Sequence, residues 1–159
     1  MNVDVLTSPS DRSFHAVRED AEVLLEALVP LAKTENVVLR HLRGTRMGSP
    51  WLLFDEWAAA LQFPPYFGEN WDAFDECLND LSWLPPVDPC VLLILDAHTV
   101  LDHATHDELE ILAKILKETA TAWNGHRAFH FILQSPPEAL ESALAMELRR
   151  QGLRFQSLV

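Results

Sequence analysis

Two groups of side chains in this sequence could do chemistry. The first is a run of carboxylates at helix-like intervals, Asp72, Asp75, Glu76 and Asp80, interleaved with Asn70 and Asn79 and flanked by Tyr66 and Trp83. Such a set holds negative charge at fixed spacing, which suits the binding of cations or of a basic protein surface. The second is Asp96 and His98, with Asp102, His103, His106 and Asp107 following. Imidazoles beside carboxylates could hold a metal ion or shuttle protons. Their spacing matches neither the H-E-x-x-H zinc helix nor a finger, and His106-Asp107 falls where a helix start needs capping, so satisfied surface histidines are the simpler reading. No G-x-S-x-G, P-loop or G-x-G-x-x-G is present, which removes the usual footholds for a nucleophile or a nucleotide. These patterns assign no catalytic residue, no metal ligand and no cofactor.

Charge narrows the partner. Between Met47 and Ala113 there are thirteen aspartates and glutamates and not one lysine or arginine, whereas the flanking stretches are nearly balanced. The formal net charge of -12 is therefore concentrated in the middle of the chain. Phosphate recognition needs clustered Lys and Arg, so direct binding of DNA or RNA is excluded as an expectation and a basic protein is favoured. No apolar run reaches the roughly 20 residues of a membrane span, and residues 1–10 lack a signal-peptide pattern, so a cytoplasmic location is expected. Cys77 and Cys90, isolated and without a C-x-x-C pair, read as small buried hydrophobes in a reducing compartment. Neither charge nor composition sets the oligomeric state.

The elements that must position these groups can be read from periodicity. Phe14, Val17, Ala21, Leu24, Leu25 and Leu28 recur at helical spacing, predicting a first helix that Pro30 ends or kinks. Val37–Leu42 predicts a strand, and Ser49-Pro50 opens a helix that stops before Pro64-Pro65. A turn containing Gly68, expected to supply a positive φ, leads to a helix over about 70–81, with Pro85, Pro86 and Pro89 barring its continuation. Cys90–Leu95 is apolar throughout and predicts a strand covered on both faces. A helix over 106–123, a strand over 128–133, a helix over 137–151 stopped at Gly152 and a fourth strand over 153–159 complete the chain. Strands separated by helices imply parallel pairing, hence an α/β layer structure with three strands, or four with the last segment. The expected organisation is one globular unit: a helical extension over 1–36, a central domain over 37–134, and a C-terminal helix with an extra strand over 135–159.

On the 70–81 helix, at about 100° per residue, Cys77, Leu81, Phe74, Leu78 and Trp71 form an inward stripe. Asp72, Glu76, Asn79 and Asp80 fall on the opposite side within about 100° of one another, with Asp75 on the flank. Asp72 suits the positive end of the helix dipole, but Asp80 lies at the wrong end, and the i, i+4 acid pairs cost about 0.2–0.5 kcal/mol each. Helix stability alone does not select this pattern. Asn70 is expected to cap the helix, Phe67 to turn inward, and Trp83 to be either a binding anchor or packed beneath the proline loop.

The run Pro65-Tyr66-Phe67-Gly68-Glu69-Asn70-Trp71-Asp72-Ala73-Phe74, followed by Glu76-Cys77-Leu78, resembles the signature of the barstar family, intracellular inhibitors of barnase-type ribonucleases. A looser likeness extends from Val37 to Gln134. The resemblance implies a barstar-like fold, and inhibition in which the turn and helix enter a basic substrate cleft and carboxylates occupy phosphate positions. It assigns partner contacts to Tyr66, Asn70, Asp72 and Glu76, and a further one to Glu118 on the following helix; Asp75, Asn79, Asp80 and Trp83 join them on the same surface. The partner implied is a basic secreted or toxin ribonuclease, and the role toxin immunity rather than catalysis. Glu76 is one methylene longer than the family archetype's aspartate, Asp75 stands in place of tryptophan and Asn79 in place of threonine, which bears on which ribonuclease is bound. Two other classes remain open at this stage: an acidic module for a basic partner that is not a nuclease, and a metal-dependent hydrolase built on the histidine cluster.

Overall fold

Every residue of the strand Cys90–Leu95 is apolar because both of its faces are covered. In the computed structural model, which describes residues 1–84, 88–123 and 126–158, this strand is β3 of a four-stranded parallel sheet. The others are β1 (Phe14–Arg18), β2 (Val38–Arg43) and β4 (Phe129–Ser135), in the order β1-β4-β3-β2. Cys90 lies opposite Val38 on one side and Phe129 on the other. Successive side chains alternate between faces. Leu42, Cys90, Leu92, Ile94, Phe129 and Phe131 enter the larger core, beneath α2 (Pro50–Leu61), α3 (Trp71–Asp80), α4 (His106–Trp123) and α5 (Ala143–Arg150). Val17, Val91, Leu93 and Ile132 face the other way, against Leu24, Leu28 and Leu31 of α1 (Ala21–Thr34).

The α/β layer structure expected from the sequence is what forms, with four strands, but the fourth is not the expected one. Residues 14–18, read as the start of a helix, are the edge strand β1, and Asp20 in extended conformation separates them from α1. The misreading has a physical source. Phe14 and Val17 stand three apart and are both buried, yet on opposite faces of the sheet, so a doubly covered strand imitates a helical interval. The helix also runs on through Pro30 to Thr34. Residues 153–158 form no strand: Phe155 makes an isolated bridge to Phe14, and the Gln156 N–H donates to the Phe14 carbonyl at 2.9 Å. Val159, assigned to that strand, lies outside the described residues, as do Pro85 and Pro86. The last helix is shorter than 137–151. It begins after Ser142, whose hydroxyl accepts the Ala145 N–H, while Arg18 of β1 donates to the Pro137 carbonyl and ties the preceding segment to the sheet edge. Gly152 follows with a φ of 95°, as its position after the helix requires.

Candidate functional site

The acidic helix is placed by an aromatic cluster beneath it. Helix α2 ends where Gln62 adopts a left-handed conformation and the Phe63 N–H donates to the Ala58 carbonyl. The chain then turns through Pro64–Phe67, closed by a hydrogen bond from the Phe67 N–H to the Pro64 carbonyl. This turn sends Phe67 inward, 5.0 Å from Phe63 and 6.0 Å from Phe54 between ring centres. Its neighbour Tyr66 is sent outward, 75% exposed. Gly68 does not supply the positive φ expected of it; Glu69 does, at 50°. What Gly68 provides is room, since a Cβ there would stand 3.1 Å from the Asn70 amide nitrogen. Asn70 uses both ends of its side chain: its oxygen accepts the Ala73 N–H at 2.8 Å, capping α3, and its nitrogen donates to the Gly68 carbonyl at 3.1 Å.

From that cap α3 runs to Asp80 and Leu81 closes it in left-handed conformation. Phe74, Cys77, Leu78 and Leu81 are buried, with Phe74 packed edge-on against Trp57 at 5.2 Å, and Trp71 at the margin 4.9 Å from Phe54. On the outer face Asp72, Glu76, Asn79 and Asp80 are exposed. Among the described residues none of Asp72, Asp75, Glu76 or Asp80 is in an ion pair. Asp75 is half-buried, and its carboxyl is pushed above the ordinary value of 3.8 by burial first, then by the charges of Glu118, Asp72 and Glu76. The Asn79 amide donates to the Asp75 carboxylate at 2.8 Å and partly offsets that shift. Glu118 is exposed on the neighbouring α4 and paired loosely with Lys114 at 3.9 Å. Asp80 also has a local task, accepting the Ser82 N–H at 3.3 Å.

Of the residues singled out from the sequence, Asp72, Glu76, Asn79 and Asp80 lie exposed on α3, Asp75 adjoins Glu118 of α4, Tyr66 and Asn70 are exposed in the turn and cap before the helix, and Trp83 lies apart from them. Trp83 is half-buried, donates its indole N–H to the Leu61 carbonyl at 2.9 Å and lies edge-on to Phe63. It supports the turn from within. Trp51 is a residue that sequence reading passes over, because an aromatic opening an amphipathic helix looks like core. It is 59% exposed.

The histidine-rich segment does not converge as a set. His103 approaches Asp102 at 3.7 Å on an exposed loop, and the Asp96 N–H is taken by the Gln134 side chain. Helix α4 is opened by a capping box, in which the Thr105 hydroxyl accepts the Glu108 N–H and the Glu108 carboxylate accepts the Thr105 N–H. His106 instead joins Glu110 and Glu147, whose ligand atoms lie within 4.8 Å of one another. A cation already sits there: Arg150 donates to Glu147 at 2.6 and 2.9 Å and to Glu110 at 3.3 Å, linking α5 to α4. Arg150 and Gln151 hold the Glu147 carboxyl down at about 2. Cys77 and Cys90 are buried free thiols, and burial pushes Cys90 up to about 12, the opposite of an activated nucleophile. Among the described residues, no helix is long and apolar enough to cross a membrane.

Compared with known proteins, residues 37–135 match the model of one family, described as Barstar (barnase inhibitor). That match takes in β2 through β4 and leaves β1, α1 and α5 outside it. No curated protein matches the chain.

Proposed function

The chain belongs to the barstar family, and on that premise we propose that it inhibits a basic ribonuclease by filling its RNA-binding cleft with the outer face of α3. Tyr66, Asn70, Asp72, Glu76 and Asp80 form the contact, with Asp75, Asn79 and Glu118 extending it across to α4. A ribonuclease cleft carries Lys, Arg and His to hold phosphate, and carboxylates reproduce those contacts through charge-assisted hydrogen bonds. Opposite potentials speed the encounter; barnase with barstar is itself a standard illustration of such steering. The protein does no chemistry in this reading and takes no cofactor. It acts in the cytoplasm, where the cell's own RNA needs protection.

The observation that carries the reading is the unpaired state of Asp72, Glu76 and Asp80. Evenly mixed surfaces neutralise such charges with nearby Lys or Arg, and here the described residues supply none within 4.0 Å. Bringing three like charges together on a rigid helix is unfavourable for the free protein, and a cationic partner reverses the sign.

Co-expression with a lethal basic ribonuclease from the same genome tests it. The wild type rescues growth; Asp72→Ala with Glu76→Ala loses rescue while its thermal melt stays that of a folded chain. A double variant that protects as well as its parent overturns the proposal. Binding of a basic non-nuclease protein, with no ribonuclease in a broad panel slowed, replaces it with the acidic-module reading.

A further inference from the structure

The geometry points to a second contact region beside the acidic face: Trp51 and Leu52, at the start of α2, form an apolar anchor for the same basic ribonuclease. This rests on the inhibitor reading. Trp51 is 59% exposed and Leu52 49%. An exposed tryptophan held at a rigid position is suited to anchor a contact. The position is rigid because Ser49 caps the helix, accepting the Leu52 N–H at 3.5 Å, and Pro50 opens its first turn.

Helix α2, which carries the patch, is joined to the acidic helix and its turn by an aromatic layer. Trp51 precedes Phe54 by one turn and lies about 60° from it around the helix axis. Phe54 in turn contacts Trp71 at 4.9 Å and Phe67 at 6.0 Å, the neighbours in sequence of Asp72 and Tyr66. Tyr66 and Trp51 are both exposed, on the two segments that this layer joins. Tryptophan is among the residues that most often anchor interface hot spots.

Charge selects the occupant. The stretch from Met47 to Ala113 that contains the patch lacks Lys and Arg, and Asp55, one turn along α2 from Trp51, is exposed. A second copy of this chain, at net charge -12, would bring the same negative surface, and an anionic membrane is repelled likewise. A basic protein is attracted, and an arginine or lysine over the indole gains a cation–π contact besides area burial.

The test measures association and dissociation rates with barnase and with each ribonuclease of the panel that the wild type inhibits. Trp51→Ala speeds dissociation about tenfold to thirtyfold and leaves the association rate within about twofold, because steering comes from the carboxylates. Trp51→Phe recovers most of the loss. Glu76→Ala lowers both affinity and association rate. If Trp51→Ala binds like wild type while Glu76→Ala fails, the anchor is wrong and the inhibitor reading stands. If neither variant differs from wild type, or no ribonuclease is inhibited, both fall. Self-association that Trp51→Ala abolishes, with inhibition intact, assigns the patch to a second copy and overturns the proposal.

Discussion

The carboxylates of Asp75 on α3 and Glu118 on α4 repel each other across the packed helix pair, and that repulsion, after burial, is the largest contribution raising the Asp75 carboxyl. The two packed helices bring like charges near each other, and Glu118 has only a loose partner in Lys114 at 3.9 Å. For a folded acid with a raised value the sign is that the ionised form costs stability, and the cost appears as pH climbs through the interval above 3.8. Asp75→Asn therefore stabilises the free protein at pH 7 by about 0.5 kcal/mol, the scale of one like-charge pair on helices. Thermal melts of the two proteins should converge near pH 3, where Asp75 is already protonated. The same variant slows association with a basic partner. A variant less stable than wild type at pH 7 would show that the Asn79 hydrogen bond outweighs the repulsion.

Strand β1 lies outside the family match yet carries part of the core. Phe14 is fully buried, stacked on Phe131 at 4.6 Å and close to Phe155 at 6.0 Å. Phe14→Ala leaves a cavity between β1 and β4 and costs about 3–5 kcal/mol, measurable by urea unfolding. A cost under about 1 kcal/mol would mean that the edge strand is dispensable.

The contrast between these regions explains what sequence could tell. The central strand was legible because an uninterrupted apolar run admits few other readings, and the α3 cap was legible because Asn70 stands immediately before a periodic stripe. Strand β1 was not, since Phe14, His15 and Val17 are all buried, and a strand hidden on both faces loses its alternation. Nor could local pattern show that Glu69 rather than Gly68 takes the left-handed conformation. Non-glycine residues there are uncommon, and the crowding of Gly68 by the Asn70 side chain is a contact that spacing alone does not reveal. Nor could it show that the Trp83 indole N–H bonds to the Leu61 carbonyl, twenty-two residues away, since that contact joins distant parts of the chain.

A buried imidazole pair gives the protein a pH dependence separate from its acidic face. His15 of β1 and His130 of β4 are fully buried with ring nitrogens 3.0 Å apart, reaching Gln156 and Ser8 carbonyls at 3.2 and 2.9 Å. Burial, with the neighbouring His130, lowers His15 from 6.5 to about 4, and burial also lowers His130. A depressed folded value means that the unfolded chain binds more protons between those limits, so stability is complete above 6.5 and declines as pH falls toward 4. The decline attributable to His15 is on the order of 2–3 kcal/mol. His15→Gln, which retains a donor and an acceptor, flattens the melting temperature between pH 7 and pH 4.5. An unchanged slope in that variant would assign the acid sensitivity elsewhere.

Trp83 and Trp51 should separate stability from binding. Trp83 spends its polar atom on the end of α2 and its ring on Phe63, so it fixes the angle at which the turn leaves that helix. Trp83→Phe keeps the edge-on ring contact but leaves the Leu61 carbonyl without its donor. The expected result is a loss of about 1 kcal/mol in unfolding free energy, the net value of one hydrogen bond, with inhibition within about twofold of wild type once the chain is folded. Trp51, 59% exposed and without a side-chain hydrogen bond among the described residues, should give the reverse: stability near wild type and weakened binding. If Trp83→Phe instead lost affinity at full stability, its ring would have to be reaching the partner, and the turn would need another support.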